Sequence, residues 1–113
     1  ACNMAKGDRK CKITVLRREY YQDLADEYLR NPAAGKCSRF YDGQEFVIDI
    51  GNVHTMAEGK FGCPYAWPCL IQHIYDAIWH GTFSYPGWSK DENVLITCCN
   101  DGARPVIFKM ELV

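Results

Sequence analysis

Val94-Leu-Ile-Thr-Cys98, Cys99-Asn-Asp-Gly-Ala-Arg104 and Pro105-Val-Ile-Phe-Lys-Met-Glu-Leu112, read as one continuous stretch, decide the fold. Two runs rich in β-branched and apolar residues flank Asn100-Asp101-Gly102, a turn sequence. The pattern predicts a hairpin, with strands over 94–98 and 105–112. Strand alternation then puts Val94, Ile96 and Cys98 on one face. On that phase Cys98 is the core candidate and Cys99 the candidate ligand.

Working outward, Cys11-Lys-Ile-Thr-Val-Leu-Arg-Arg-Glu19 also alternates, with Cys11, Ile13 and Val15 on one face. Residues 22–30 predict a short helix with Leu24, Ala25, Tyr28 and Leu29 on one side, stopped by Asn31-Pro32. Residues 45–50 predict a strand entered through the Asp42-Gly43 turn. Residues 51–62 read as a polar, glycine-punctuated loop. Residues 66–80 predict the main helix, with Pro68 in its first turn, Leu70, Ile71, Ile74, Ala77 and Ile78 as its apolar stripe, and Gly81 closing it. An aromatic, proline-containing loop follows to Asn93. Strand, helix, strand, helix, hairpin spells an α+β fold: a single small domain over 11–113, with a mostly antiparallel sheet of about four strands and two helices packed on it. Residues 1–10 carry no pattern and read as a loose N-terminal tail, which makes Cys2 a bystander.

A chain of 113 residues at net charge −1, with 48% apolar and 24% charged residues, is long enough for a core of its own. The basic residues are dispersed and answered by neighbouring acids, which argues against nucleic acid as a partner. No apolar run is long enough to span a bilayer. The polar first ten residues hold no signal-like apolar segment. The expected location is therefore cytoplasmic, where clustered cysteines favour metal or redox chemistry over structural disulfides.

Seven cysteines are the chemistry-bearing feature. Cys37 follows a Gly-Lys turn, Cys63 sits in Gly-Cys-Pro, and Cys98-Cys99 end an apolar run. Loop and strand ends are where distant segments can converge. Soft thiolates suit an iron–sulfur cluster or zinc, yet no C-x-x-C pair is present, and free cysteines also serve as small buried hydrophobes. Cys69, near the start of the main helix, is expected to pack under the helix end, with a reactive thiol as the alternative, since a helix N-terminus lowers a thiol pKa. His54, His73 and His80 are the candidate bases, with a surface role as their default. The aromatic side chains between Tyr65 and Trp88 fit either core packing or a subunit interface or substrate pocket. Arg104 stands where a guanidinium could reach the cysteine site.

The chain resembles a largely uncharacterised family of small prokaryotic cysteine-containing proteins, common in anaerobes. The resemblance is carried by the Cys11-Lys-Ile-Thr-Val-Leu-Arg-Arg start with Asp23-Leu24 and Glu27-Tyr28, by Lys36-Cys37, Gly43-Gln-Glu-Phe46, Gly62-Cys63, Ala66-Trp67, Ile74-Tyr75 and Gly81, and by Cys98-Cys99-Asn-Asp-Gly-Ala-Arg-Pro-Val-Ile-Phe-Lys109. It implies that Cys37, Cys63, Cys98 and Cys99, rather than Cys2 or Cys69, form the site. It also puts a [4Fe–4S] cluster ahead of zinc. Pro64-Tyr65 and Pro68-Cys69 depart from the family's pattern.

Three functions are open on these readings. One is a small iron–sulfur protein, working in electron transfer or through an open iron. The others are a structural zinc or interaction module and a metal-free thiol redox protein. The aromatic loop adds an expected homo-oligomer. A redox partner protein or a small-molecule ligand completes the expectations. Whether the chain is an enzyme is left open by the sequence.

Overall fold

Cys11, Ile13 and Val15 place a fully buried side chain at every second position, and that alternation seats the strand they belong to at the centre of the sheet. In the computed structural model, which describes residues 9–113, this strand is β1 (Cys11–Arg18), followed by helix α1 (Gln22–Tyr28) and β2 (Glu45–Ile48). Next come a short helix α2 (Val53–Thr55), which widens into a π-type segment (Met56–Lys60), and the main helix α3 (Trp67–Tyr75), which widens likewise over Asp76–His80. Strands β3 (Val94–Cys98) and β4 (Val106–Leu112) close the chain. The sheet order is β2-β1-β4-β3, antiparallel throughout. Cys2 and most of the expected tail lie outside the described residues. No helix among the described residues is long and apolar enough to cross a membrane.

One face of the sheet forms the core. Ile13, Val15, Ile48, Leu95, Val106, Phe108 and Met110 meet Leu70, Ile74, Ala77 and Ile78 from α3 and its extension. Burying each large side chain contributes about 1.5–3 kcal/mol. The expected stripe of α3 is therefore its sheet-facing side, with Ile71 half-buried at its margin.

Four local expectations need correction. First, β3 buries Leu95 and exposes Ile96 and Cys98. Leu95 pairs with Met110 and Thr97 with Phe108, so these carry the core face and Cys98 is on the other. Second, α1 buries only Ala25; Leu24 and Tyr28 are exposed, and Ala25 lies outside the main core cluster. Third, the segment read as a loop over 51–62 is largely helical. Its Val53 and Phe61 are drawn into the core, and that apolar docking folds it. Fourth, β2 ends at Ile48, because Asp49 leaves the ladder to cap the next turn with its carboxylate, accepting from Gly51 and Asn52.

Gly81 ends the π-type extension of α3 in the left-handed region at φ 67°. The Arg9 guanidinium lies against it, 2.7 Å from where a β-carbon would stand. A cation at a helix C-terminus complements the helix dipole. Gly81→Ala is expected to cost about 1–2 kcal/mol, mainly from the left-handed backbone. A thermal midpoint unchanged within a degree would contradict this.

Candidate functional site

Each cysteine near the sheet end is delivered by its own local device. Cys37 lies in the loop before β2, and its carbonyl accepts a hydrogen bond from Arg18 Nη1 at 2.9 Å. Arg18 Nε in turn contacts Asp42 Oδ1 at 2.9 Å. The hydrogen bond from Arg18 holds the Asp42 carboxyl below its usual range. One guanidinium at the end of β1 thus ties together the Cys37 loop and the turn into β2.

Cys63 follows Gly62, whose φ of 101° lets the chain reverse between Phe61 and α3. The Cys63 sulfur accepts from the Ala66 N–H at 3.4 Å, and its carbonyl accepts from Trp67 N–H at 3.2 Å. Cys63 therefore braces the turn that leads into α3. Cys99 continues the hairpin by one residue. Its N–H donates to the Val106 carbonyl at 3.2 Å, and its sulfur accepts from the Val106 N–H at 3.3 Å. Beyond it, Asp101 Oδ1 accepts from Ala103 and Arg104 N–H groups, which shapes the turn expected from Asn-Asp-Gly.

These three loops meet. Cys37, Cys63 and Cys99 line one cavity of about 480 Å³, together with Arg39, Asn100 and Arg104. Cys98 is not among its lining residues and is exposed. Of the four cysteines expected at the site, three share a cavity and the fourth is exposed and outside its lining. Among the described residues, no three His, Cys, Asp or Glu side chains stand close enough to grip a single metal ion.

The chain matches no protein-family model, no curated protein and no solved structure.

Cys69 does not fit the reactive-thiol alternative. Its thiol is raised above its ordinary value, first by burial and then by Cys99, Cys98 and Cys63. A thiol held in its neutral form is not an activated nucleophile. The same influences place Cys69 in the electrostatic neighbourhood of the other cysteines, which its sequence position gave no reason to expect. Its sulfur contacts the Tyr65 carbonyl at 3.6 Å.

None of the three histidines lines the cavity. His54 and His80 are exposed, and His73 is half-buried with its ring centroid 6.1 Å from that of Tyr85. The aromatic concentration divides. Trp67 stacks obliquely on Phe61 at 5.4 Å and Phe83 is buried, whereas Tyr65, Tyr85 and Trp88 are exposed.

Cys11 is a core residue and not a ligand. Burial pushes its thiol from 9.0 up to about 12. The folded state therefore holds this proton more tightly than the unfolded chain does. The resulting stability, about 4 kcal/mol at most, is complete below about pH 9 and is lost as pH rises toward 12. Denaturant unfolding between pH 8 and 10.5 is expected to show a fall in stability that Cys11→Ala flattens. An unchanged slope in that variant would remove Cys11 as the cause.

Proposed function

We propose that this chain is a small iron–sulfur protein whose Cys37, Cys63 and Cys99 hold a [4Fe–4S] cluster, with one iron open. The observation that carries this reading is the convergence of those three cysteines, from three separate loops, on one cavity. The donor set fits. Cys63 and Cys99 each accept a backbone N–H at sulfur, the kind of contact that tunes a cluster held by thiolates. The preference for a cluster over zinc comes from the resemblance to the small prokaryotic cysteine-containing family. When bound, such a cluster supplies electron transfer or, at an open iron, Lewis-acid chemistry. The resemblance to the small prokaryotic cysteine-containing family, the cytoplasmic location and a redox partner or small ligand belong to the same proposal.

Purification without oxygen, followed by iron, sulfide and zinc analysis, tests it. The expected protein is brown, with about four iron and four sulfide per chain and broad absorbance at about 400 nm. Colourless protein with stoichiometric zinc would replace the cluster with the structural-metal alternative.

One observation favours a second reading, metal-free thiol redox chemistry: Cys37, Cys63 and Cys99 are free and line one cavity. Two of these thiols would give up two protons and two electrons to a disulfide oxidant, forming one disulfide and reducing the oxidant to two thiols. Colourless, metal-free protein that consumes oxidised glutathione would favour it.

Association into a small homo-oligomer is the further part of the proposal. Trp88 is 79% exposed and Tyr85 62% exposed, beside the exposed Ile96 of edge strand β3. A symmetric assembly is a common way to cover such side chains. Light scattering at micromolar concentration is expected to give a multiple of the chain mass; a monomer would reject it.

A further inference from the structure

We infer that the cysteine cavity is a receptor for a small anion, and that its ligand joins a carboxylate-type group to a soft donor atom. The placement of the soft donor rests on the cluster reading. The anionic half rests on the guanidiniums alone.

Arg39 and Arg104 line the same cavity as Cys37, Cys63 and Cys99. They reach it from different parts of the chain, Arg39 from the loop before β2 and Arg104 from the β3–β4 connection. Arg104 Nε contacts Asp101 Oδ2 at 3.5 Å, which orients the side chain. Asp101 is the cavity's carboxylate, and it is already engaged by two turn amides and by Arg104. Arg39 has no carboxylate within 4.0 Å among the described residues. Its hydrogen bond to the Gly62 carbonyl is long at 3.4 Å.

Two arginines thus line a hollow that holds one committed carboxylate. Guanidinium forks match carboxylate and similar oxyanions in geometry and charge. Asn100 and Gly102 also line the cavity and carry groups that can accept or donate further hydrogen bonds. The sulfurs line the same cavity, so a ligand with both kinds of group can satisfy both. At about 480 Å³ the cavity suits a metabolite-sized molecule.

The probes are mercaptoacetate and 2-mercaptoethanol. They share a thiol, and only the first carries a carboxylate. Affinities are read by calorimetry and by the change in absorbance at about 400 nm on the anaerobic protein. Mercaptoacetate is expected to bind at least tenfold more tightly, a preference of about 1.4 kcal/mol. Arg104→Gln and Arg39→Gln are each expected to cut the preference severalfold, with iron content and 2-mercaptoethanol affinity unchanged. Arg39 is exposed, so its variant keeps the test available if loss of the Asp101 contact unfolds the hairpin. Equal affinity for the two probes in the parent protein, or a full preference surviving in both variants, would overturn the anion site. Protein that carries no iron would instead defeat the cluster reading. The calorimetric preference on that same protein then decides the anion site by the same criteria.

Discussion

Cys63→Ala and Cys37→Ala are each expected to strip most of the iron and sulfide from protein purified without oxygen, from about four of each per chain to less than about one. The two cysteines are delivered by different devices. Cys63 is fixed between Gly62 and the first turn of α3, and Cys37 is held through its carbonyl by Arg18. Cys11→Ala serves as the control, because that sulfur is buried in the core and its neutral thiol is not a ligand form. It is expected to keep full iron occupancy while losing some stability. Full occupancy in Cys63→Ala would sink the ligand assignment.

The second large effect concerns packing. Phe61 is 1% exposed, with ring centroids at 4.6 Å from Phe46, 5.4 Å from Phe40 and from Trp67, and 6.0 Å from Phe108. It joins the segment after β2, the sheet and the start of α3 in one aromatic cluster. Phe61→Ala is expected to cost about 3–5 kcal/mol, a large share of the roughly 5–15 kcal/mol that holds an ordinary domain together. Phe61→Leu is expected to recover much of it. Because Phe61 stands two residues before Cys63, the alanine variant is also expected to bind iron less completely. Denaturant unfolding that shows a loss below about 1 kcal/mol would mean the cluster is not the structural joint described.

The parts of the fold legible in the sequence are those where one pattern had one interpretation. Cys11, Ile13 and Val15 alternate against Lys12 and Thr14, so the phase of β1 is unambiguous. Pro68 and Gly81 bracket the main helix, and Asn100-Asp101-Gly102 marks the hairpin. Strand β3 is different, because both of its faces are largely apolar: Val94, Ile96 and Cys98 against Leu95 and Thr97. Only the register against Met110 and Phe108 chooses between them, and a register is a tertiary fact. The same choice turns Cys98 outward and leaves Cys99 at the cavity.

The polar stretch 51–62 hid its helical turns because the docking residues, Val53 and Phe61, stand near its ends. The stripe expected on α1 is exposed because that helix is short and only Ala25 is buried. At the site, the turn-borne positions of Cys37, Cys63 and Cys99 were visible in the sequence. The Arg18 clamp, the N–H groups aimed at sulfur and the nearness of Cys69 were not, since each depends on segments far apart in the chain.

Comparison of Cys98→Ala with Cys99→Ala is the most direct measurement of the proposed centre. Both variants are purified without oxygen and their iron and sulfide are counted. Cys99 lines the cavity with its sulfur on the Val106 N–H, while Cys98, one residue away, is exposed. The expected result is loss of the cluster in Cys99→Ala and full retention in Cys98→Ala, with the retained cluster changing its spectrum when cyanide is added. Equal loss in both variants, with no spectral response to cyanide in the parent protein, would contradict a three-thiolate centre with an open iron.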